Sequence, residues 1–172
     1  MDYKIFNEDN LKDNEIDETV VRVKAFIMNS KKEILMAYSN GGIQLIGGHV
    51  ENDESYVNTL KREIMEETGM EVEEAEISNP FYEVIHYIKN YFNTSKNTIC
   101  KIYYYVVKTD KLPNVKNNNL TKQEHDYNFH LEFIPFENFE KCVGEYLNNE
   151  EHVNELIASE TLTAFNKLKE NI

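Results

Sequence analysis

Apolar and polar residues change rhythm several times along the chain, and each rhythm predicts an element. Residues 1–17 are polar and acidic with isolated apolar positions, which suits a loosely held arm or an added edge element. From Val20 the pattern alternates: Val21, Val23, Ala25 and Ile27 are interleaved with Arg22 and Lys24, as a half-buried strand requires, and predict a strand over 19–28. The polar run Asn29-Ser30-Lys31-Lys32 turns the chain into a second strand over 33–38, and Asn40-Gly41-Gly42 turns it into a short third over 43–46. After Gly47-Gly48 the period becomes helical. Val57, Leu60 and Ile64 fall at i, i+3 and i+7 behind Asn52-Asp53 as the cap, and Gly69 ends the run. Strands follow over 81–88, with Tyr82, Val84, His86 and Ile88 on one face, and over 98–108, with Ile99, Tyr103, Tyr105 and Val107 on one face and Ile102, Tyr104 and Val106 on the other. A long connection over 109–128 leads to a last strand at 129–134. Phe136, Phe139, Val143 and Tyr146 then repeat at helical spacing, and a second amphipathic run, Val153 to Leu168, predicts a C-terminal helix over 150–170. Strands first, helices last and one helix embedded predict an α+β or layered α/β fold. With no internal repeat, 172 residues are expected to form one domain.

Charge narrows the partners. Eighteen basic against 31 acidic residues give a net charge of −13, which repels a nucleic-acid backbone, so duplex DNA or RNA is not an expected partner. The same charge repels a small phosphorylated substrate unless bound cations locally reverse the field, so a carboxylate cluster is the feature to look for. No window approaches the ~18 apolar residues that span a bilayer, and the acidic N-terminus is unlike a signal peptide. Cys100 and Cys142 are far apart and suggest neither a disulfide framework nor a cysteine zinc site. A cytoplasmic protein with no membrane partner is the expectation.

The cluster is found in the predicted helix. Counting from Gly48, Glu54 follows after five residues and Arg62 after seven more, and the chain then reads Arg62-Glu63-Ile64-Met65-Glu66-Glu67-Thr68-Gly69-Met70. Glu63, Glu66 and Glu67 stand at i, i+3 and i+4, so their carboxylates share one side of the helix and repel unless cations fill the space between them. Oxygen-only ligands of this kind suit Mg²⁺ or Mn²⁺, which keep several waters and share their coordination with substrate phosphates. Such ions neutralise a diphosphate, fix its geometry and acidify a bound water. Arg62, beside Glu63 and four residues before Glu66, can orient a carboxylate or pair with Glu54. Gly47-Gly48 allows the backbone close to metal and phosphate, and Gly69 permits the left-handed turn that ends a helix.

This stretch, Gly48 to Met70, resembles a complete Nudix box, and the order of strands and helices across about residues 19–147 is similar to that of the MutT-like Nudix hydrolases. The resemblance implies an α/β/α sandwich with a mixed β-sheet flanked by helices. It also implies Mg²⁺- or Mn²⁺-dependent cleavage of a diphosphate (pyrophosphate) bond in a nucleoside diphosphate-linked compound or a plain or modified nucleoside triphosphate. By that resemblance Gly48, Glu63, Glu66 and Glu67 hold the metal, while Glu54, Arg62, Gly47 and Gly69 support them. The family often recruits one further glutamate from outside the box. Glu132 looks like that position, because it faces away from Phe129, Leu131 and Phe133, with Glu124 as rival and Glu63 a third choice of base. Gln44, His49, Tyr87 and Glu124 are candidate substrate contacts. The chain departs from the family pattern before the paired glycines, where Ile46 and Gln44 stand in place of the frequent proline and aromatic residue. That departure bears on loop shape and substrate rather than on the chemistry. The alternative expectation is a Nudix-like sensor that binds a nucleotide or ADP-ribose without cleaving it. The isomerase branch of this fold is disfavoured, since neither cysteine matches its catalytic one. Resemblance also makes a homodimer a reasonable expectation.

Overall fold

The computed structural model describes residues 1–39, 41–114, 129–147 and 152–171, with the side chains of 152–154 excepted. Seven strands form one mixed sheet: β1 (Asp2–Phe6), β2 (Glu18–Met28), β3 (Glu33–Ser39), β4 (Gly42–Gln44), β5 (Tyr82–Ile88), β6 (Thr98–Lys108) and β7 (His130–Pro135). They lie in the order β1-β5-β6-β2-β3-β4, with β7 on the other edge of β3. β1 runs parallel to β5 and β2 parallel to β6, while the remaining pairs are antiparallel. The expected arm at the N-terminus is thus the edge strand β1.

Helix α1 (Tyr56–Thr68) covers one face of the sheet, and α2 (Phe139–Gly144) with α3 (His152–Glu170) covers the other. Period-2 alternation decides which side chain meets which helix. Val23, Ala25 and Ile27 of β2, Leu35 and Ala37 of β3, and Tyr105 and Val107 of β6 pack with Leu60 and Ile64 of α1. Phe26, Met36, Val84, Ile102 and Tyr104 point the opposite way and pack with Phe139, Val143, Ala158, Phe165 and Leu168. A helix-covered face on both sides is the layered sandwich expected from the sequence. Truncating a fully buried anchor such as Leu60 or Ile64 to Ala in a core of this kind costs ~2–5 kcal/mol.

One local expectation is corrected. The first turn of α1 is capped by Ser55, whose Oγ accepts from Asn58 N at 3.2 Å, and not by Asn52-Asp53. Asp53 has φ +65° and belongs to the left-handed turn that leads in. Gly69, with φ +67°, ends the helix and donates to Met65 O at 2.8 Å.

Between β2 and β3 the sheet opens. These strands pair only at Ile27↔Leu35 and Met28↔Ile34, after which β4 follows β3 and the segment beyond it follows β2. Ala25 N donates to Ile46 O at 2.9 Å, Val23 N to Gly48 O at 3.0 Å, and Val50 N to Val21 O at 2.9 Å. The glycine pair is therefore sewn into the sheet.

The double covering buries charge. Lys24, which the alternation of β2 sets on the polar side, is only 4% exposed because α3 lies over it. Its Nζ donates to Glu160 Oε1 at 2.5 Å, and His86 Nε2 meets Glu160 Oε2 at 2.8 Å. Burial alone would raise the Glu160 pKa, but Lys24 and His86 overcome it and hold the carboxyl near 2. Removing one member of such a set strands the others uncompensated. Glu160→Ala is expected to lower unfolding free energy by ~3–5 kcal/mol in urea titration; a loss under ~1 kcal/mol would contradict the assignment. Folding depresses this pKa from the ordinary 4.5, so the contribution is complete above about pH 4.5 and is lost as the pH falls toward 2. Urea midpoints of the native chain and Glu160→Ala should converge across that interval.

Candidate functional site

α1 projects its polar side toward the loop that follows β4, and Arg62 stands at the centre of the contacts. Its Nε donates to Glu54 Oε1 at 3.1 Å and its Nη2 to Glu54 Oε2 at 3.0 Å, a forked pair across the turn before the helix. Nη2 also reaches His49 O at 3.0 Å, while Nη1 serves Glu63 Oε1 at 2.7 Å and Glu66 Oε2 at 3.2 Å. Thr59 Oγ1 adds a bond to Glu54 at 2.8 Å. Arg62 and Thr59 hold the Glu54 carboxyl below its usual range. Glu63 differs. Burial raises its pKa despite the neighbouring guanidinium, and Glu66 raises it further.

Glu67 lies on the sheet side of α1, 6% exposed, and accepts from Gly47 N at 3.4 Å. The glycine pair explains how the helix comes so close. A Cβ on Gly48 would fall 2.3 Å from Glu63 Oε1, so the acid occupies space that any other residue would need. Gly47 has φ +142°, and a Cβ there would sit 2.1 Å from Val23 O and 2.9 Å from Lys24 Cα, both backbone atoms that cannot yield. The Gly48 carbonyl spends one lone pair on Val23 N and keeps the other.

The box residues expected from sequence are thus brought to one place: Glu54, Arg62, Glu63 and Glu66 around one guanidinium, with Glu67 against Gly47 beside them. Among the described residues no three acidic, histidine or cysteine side chains already converge as a cation cage, since Arg62 draws Glu63 and Glu66 to itself. His49 stands on the rim, its backbone bridged to Arg22. Partial desolvation and then the Arg22 charge lower its pKa.

Other candidates lie elsewhere. Glu132 pairs with Met36, whose side chain belongs to the α2/α3 face, so Glu132 is on the side of the sheet away from α1, near Tyr38 and Tyr146. Its expected role as base is corrected for that reason: facing away from Leu131 and Phe133 means facing away from the box helix that those residues pack beneath. Tyr87 donates to Asp13 at 2.9 Å. Gln44 lines a small cavity of about 150 Å³ with Ser39, Gly42, Ile43 and Ile157. Glu124 lies outside the described residues. Arg22 was missed by sequence reading. It sits in β2 beside the glycine segment; burial raises the pKa of Glu63 on one side and of Tyr91, Cys100 and Tyr104 on the other, and the Arg22 charge offsets part of each rise. Only its place opposite His49, which the sequence does not reveal, would have singled it out.

A family model described as the NUDIX domain matches residues 18–152. No curated protein matches the chain. Among solved structures, a MutT protein from Methanosarcina mazei Go1 is similar at TM-score 0.52 and 21% identity, over 88% of this chain and 95% of that one. A MutT structure from work on Aliivibrio salmonicida and Vibrio cholerae is similar at TM-score 0.50 and 18% identity, over 81% and 96%. The E. coli ORF135 protein is similar at TM-score 0.50 and 22% identity, over 72% and 79%. These likenesses establish the fold. Since the family model spans most of the chain, including every box residue from Gly48 to Met70, this protein belongs to the Nudix family.

Proposed function

We propose that the protein is a divalent-metal-dependent hydrolase that cleaves a phosphoanhydride bond in a nucleoside diphosphate-linked compound or a nucleoside triphosphate. The observation that carries this reading is a charge imbalance at a backbone-lined surface. One guanidinium serves Glu54, Glu63 and Glu66, Glu67 is buried beside them, and Gly47-Gly48 keeps side chains out of the way. Carboxylates so arranged favour added positive charge, and a polyphosphate cannot approach this acidic chain without it.

The donor set fits Mg²⁺ or Mn²⁺: oxygen atoms only, with Glu67 desolvated and Glu63 held above its ordinary pKa. Glu63, Glu66 and Glu67 would hold the ion, with the remaining lone pair of the Gly48 carbonyl as a further donor. Such a cation, when bound, offsets phosphate charge and makes a water acidic enough to react. The residues do the rest. Arg62 fixes Glu54 and Glu63 relative to each other, and the side-chain-free loop lets a diphosphate lie against the backbone. Water oxygen bonds to phosphorus, the bridging P–O bond breaks with its electron pair leaving on the departing phosphate, and the water proton passes to a carboxylate of the site.

The test is a panel of nucleoside diphosphate-linked compounds and nucleoside triphosphates with product identification, in Mg²⁺, in Mn²⁺ and in EDTA. Metal-dependent release of two phosphorylated products, or of one with inorganic phosphate or pyrophosphate, is expected. Glu67→Gln should lower kcat by ~10²-fold or more with the melting temperature held; an unchanged rate would refute the site. Ligand-induced thermal shifts without turnover across the panel would favour a sensor instead.

The two glycines should respond differently. Gly48→Ala meets the movable end of Glu63, so the fold should survive while activity falls at least tenfold. Gly47→Ala meets backbone and should cost stability, by ~1–3 kcal/mol or more. Thermal melts beside initial rates separate these outcomes, and equal melting temperatures for both variants would overturn the distinction.

A further inference from the structure

Strand β5 carries apolar side chains on both faces, yet the helices cover only one of them. Tyr82 and Val84 point into the core beneath α2 and α3. The alternate residues point to the α1 side, where the strand register sets Tyr3 beside Glu83 and Tyr103, and Ile5 beside Ile85 and Lys101. α1 reaches this side only as far as Tyr103, on which the Tyr56 ring stacks at 5.0 Å. Beyond that point Tyr3, Ile5 and Ile85 belong to neither packed cluster. Tyr3 is 62% exposed, Ile5 45% and Tyr56 36%. The patch closes at one end, where Tyr87 donates to Asp13 at 2.9 Å, and along its outer side β1 has no strand partner among the described residues. Aromatic and branched side chains that adjoin across three strands make a continuous apolar surface, of the kind that marks a contact with another molecule.

Two charged side chains stand within this patch, and they are of opposite sign. Glu83 is opposite Tyr103 and Lys101 opposite Ile85, so the two are diagonal neighbours on adjacent strands. Among the described residues Lys101 forms no ion pair. One acid against one base leaves the patch formally neutral in a chain of net charge −13. Two copies of so acidic a chain repel over most of their surface, and a neutral apolar patch is where that repulsion is least. A basic partner would instead be drawn to the acidic remainder. Association about a two-fold axis makes each contact twice, residue i on residue j and j on i. An axis lying in the interface and bisecting the line from Glu83 to Lys101 does this. It sets Glu83 of each copy against Lys101 of the other and brings Ile85 and Tyr103 near their own counterparts.

We propose that this open side of β1, β5 and β6, with Tyr56 at its border, is the interface of a two-fold symmetric homodimer. Burial of Tyr3, Ile5, Ile85 and Tyr103 drives the association, and the reciprocal Glu83–Lys101 pairs fix its register. Tyr56 opens α1, so the interface borders the box helix while Glu63, Glu66 and Glu67 lie farther along it.

Sedimentation equilibrium of the full chain across a dilution series is the test. A reversible monomer–dimer equilibrium is expected for the native chain. Lys101→Glu and Glu83→Lys each set like charges together twice and should weaken dimerisation at least ~10-fold. The double exchange, Glu83→Lys with Lys101→Glu, should restore the dimer to within ~3-fold of native. Ile5→Arg, at an exposed edge position, should leave monomer only, with circular dichroism and melting temperature retained in every variant. A native chain that stays monomeric at the highest concentration overturns the interface. So does a dimer unmoved by either single reversal, a double exchange no tighter than the singles, or an assembly larger than a dimer, which would point to open-ended pairing of the β1 edge. Should a charge variant fail to fold, Ile5→Arg decides: a dimer as tight as native refutes the surface.

Discussion

The splaying of β2 from β3 is the constraint on which the rest depends. Had the two strands stayed paired, no backbone could have entered between them, and the segment from Ile46 to Val50 would have been an ordinary surface loop. Instead three backbone hydrogen bonds fasten that segment to β2, and Gly47 fits only because it has no side chain to strike Val23 O. The loop that faces α1 is thereby tied to the sheet through its backbone. A carboxylate on α1 can pack against it with a definition that a free loop would not give, and groups held to within a fraction of an ångström are what positioning a reacting diphosphate requires.

Rigid placement brings an electrostatic cost. Glu54, Glu63, Glu66 and Glu67 crowd one helix and its approach in a chain of net charge −13. Arg62 answers most of it by meeting three of these acids and the His49 carbonyl at once. It does so from the helix itself, so the arrangement can fold without a metal. It cannot neutralise the site, because one positive charge faces several negative ones, and Glu63 stays above its ordinary pKa even with Arg62 at 2.7 Å. The acids that Arg62 ties together thus keep a net negative charge after it has paired with them.

Much of this was legible from residue order. Period-2 runs marked the strands because half of each strand packs on a helix, and the spacing of Gly48, Glu54, Arg62, Glu63, Glu66 and Glu67 carried the site because helix geometry converts spacing into proximity. What failed has one cause. Alternation tells which residues share a face but not what covers that face. Lys24 and Glu132 were both read as facing away from the apolar layer, which they do, yet the far side is covered by α2 and α3. One of them is therefore buried, and the other is separated from α1 by the sheet. The Ser55 cap was missed for a similar reason, since Asn52, Asp53 and Ser55 are all good caps and only the left-handed turn at Asp53 decides among them.

A buried Lys–Glu–His set on that far side loses stability when one member is removed, yet replacing the whole set by apolar residues is often neutral. Apolar residues of the same volume hold such a position as well or better, because two or three desolvated charges recover little more than they lose. What the set provides is orientation. It pins β2, β5 and α3 at one point through short bonds. The box face of the sheet therefore carries the acidic cluster, whereas the far face carries a buried ionic set beneath α3. β2 joins the two through adjacent residues, Val23 beneath α1, Lys24 beneath α3 and Arg22 at the edge between them.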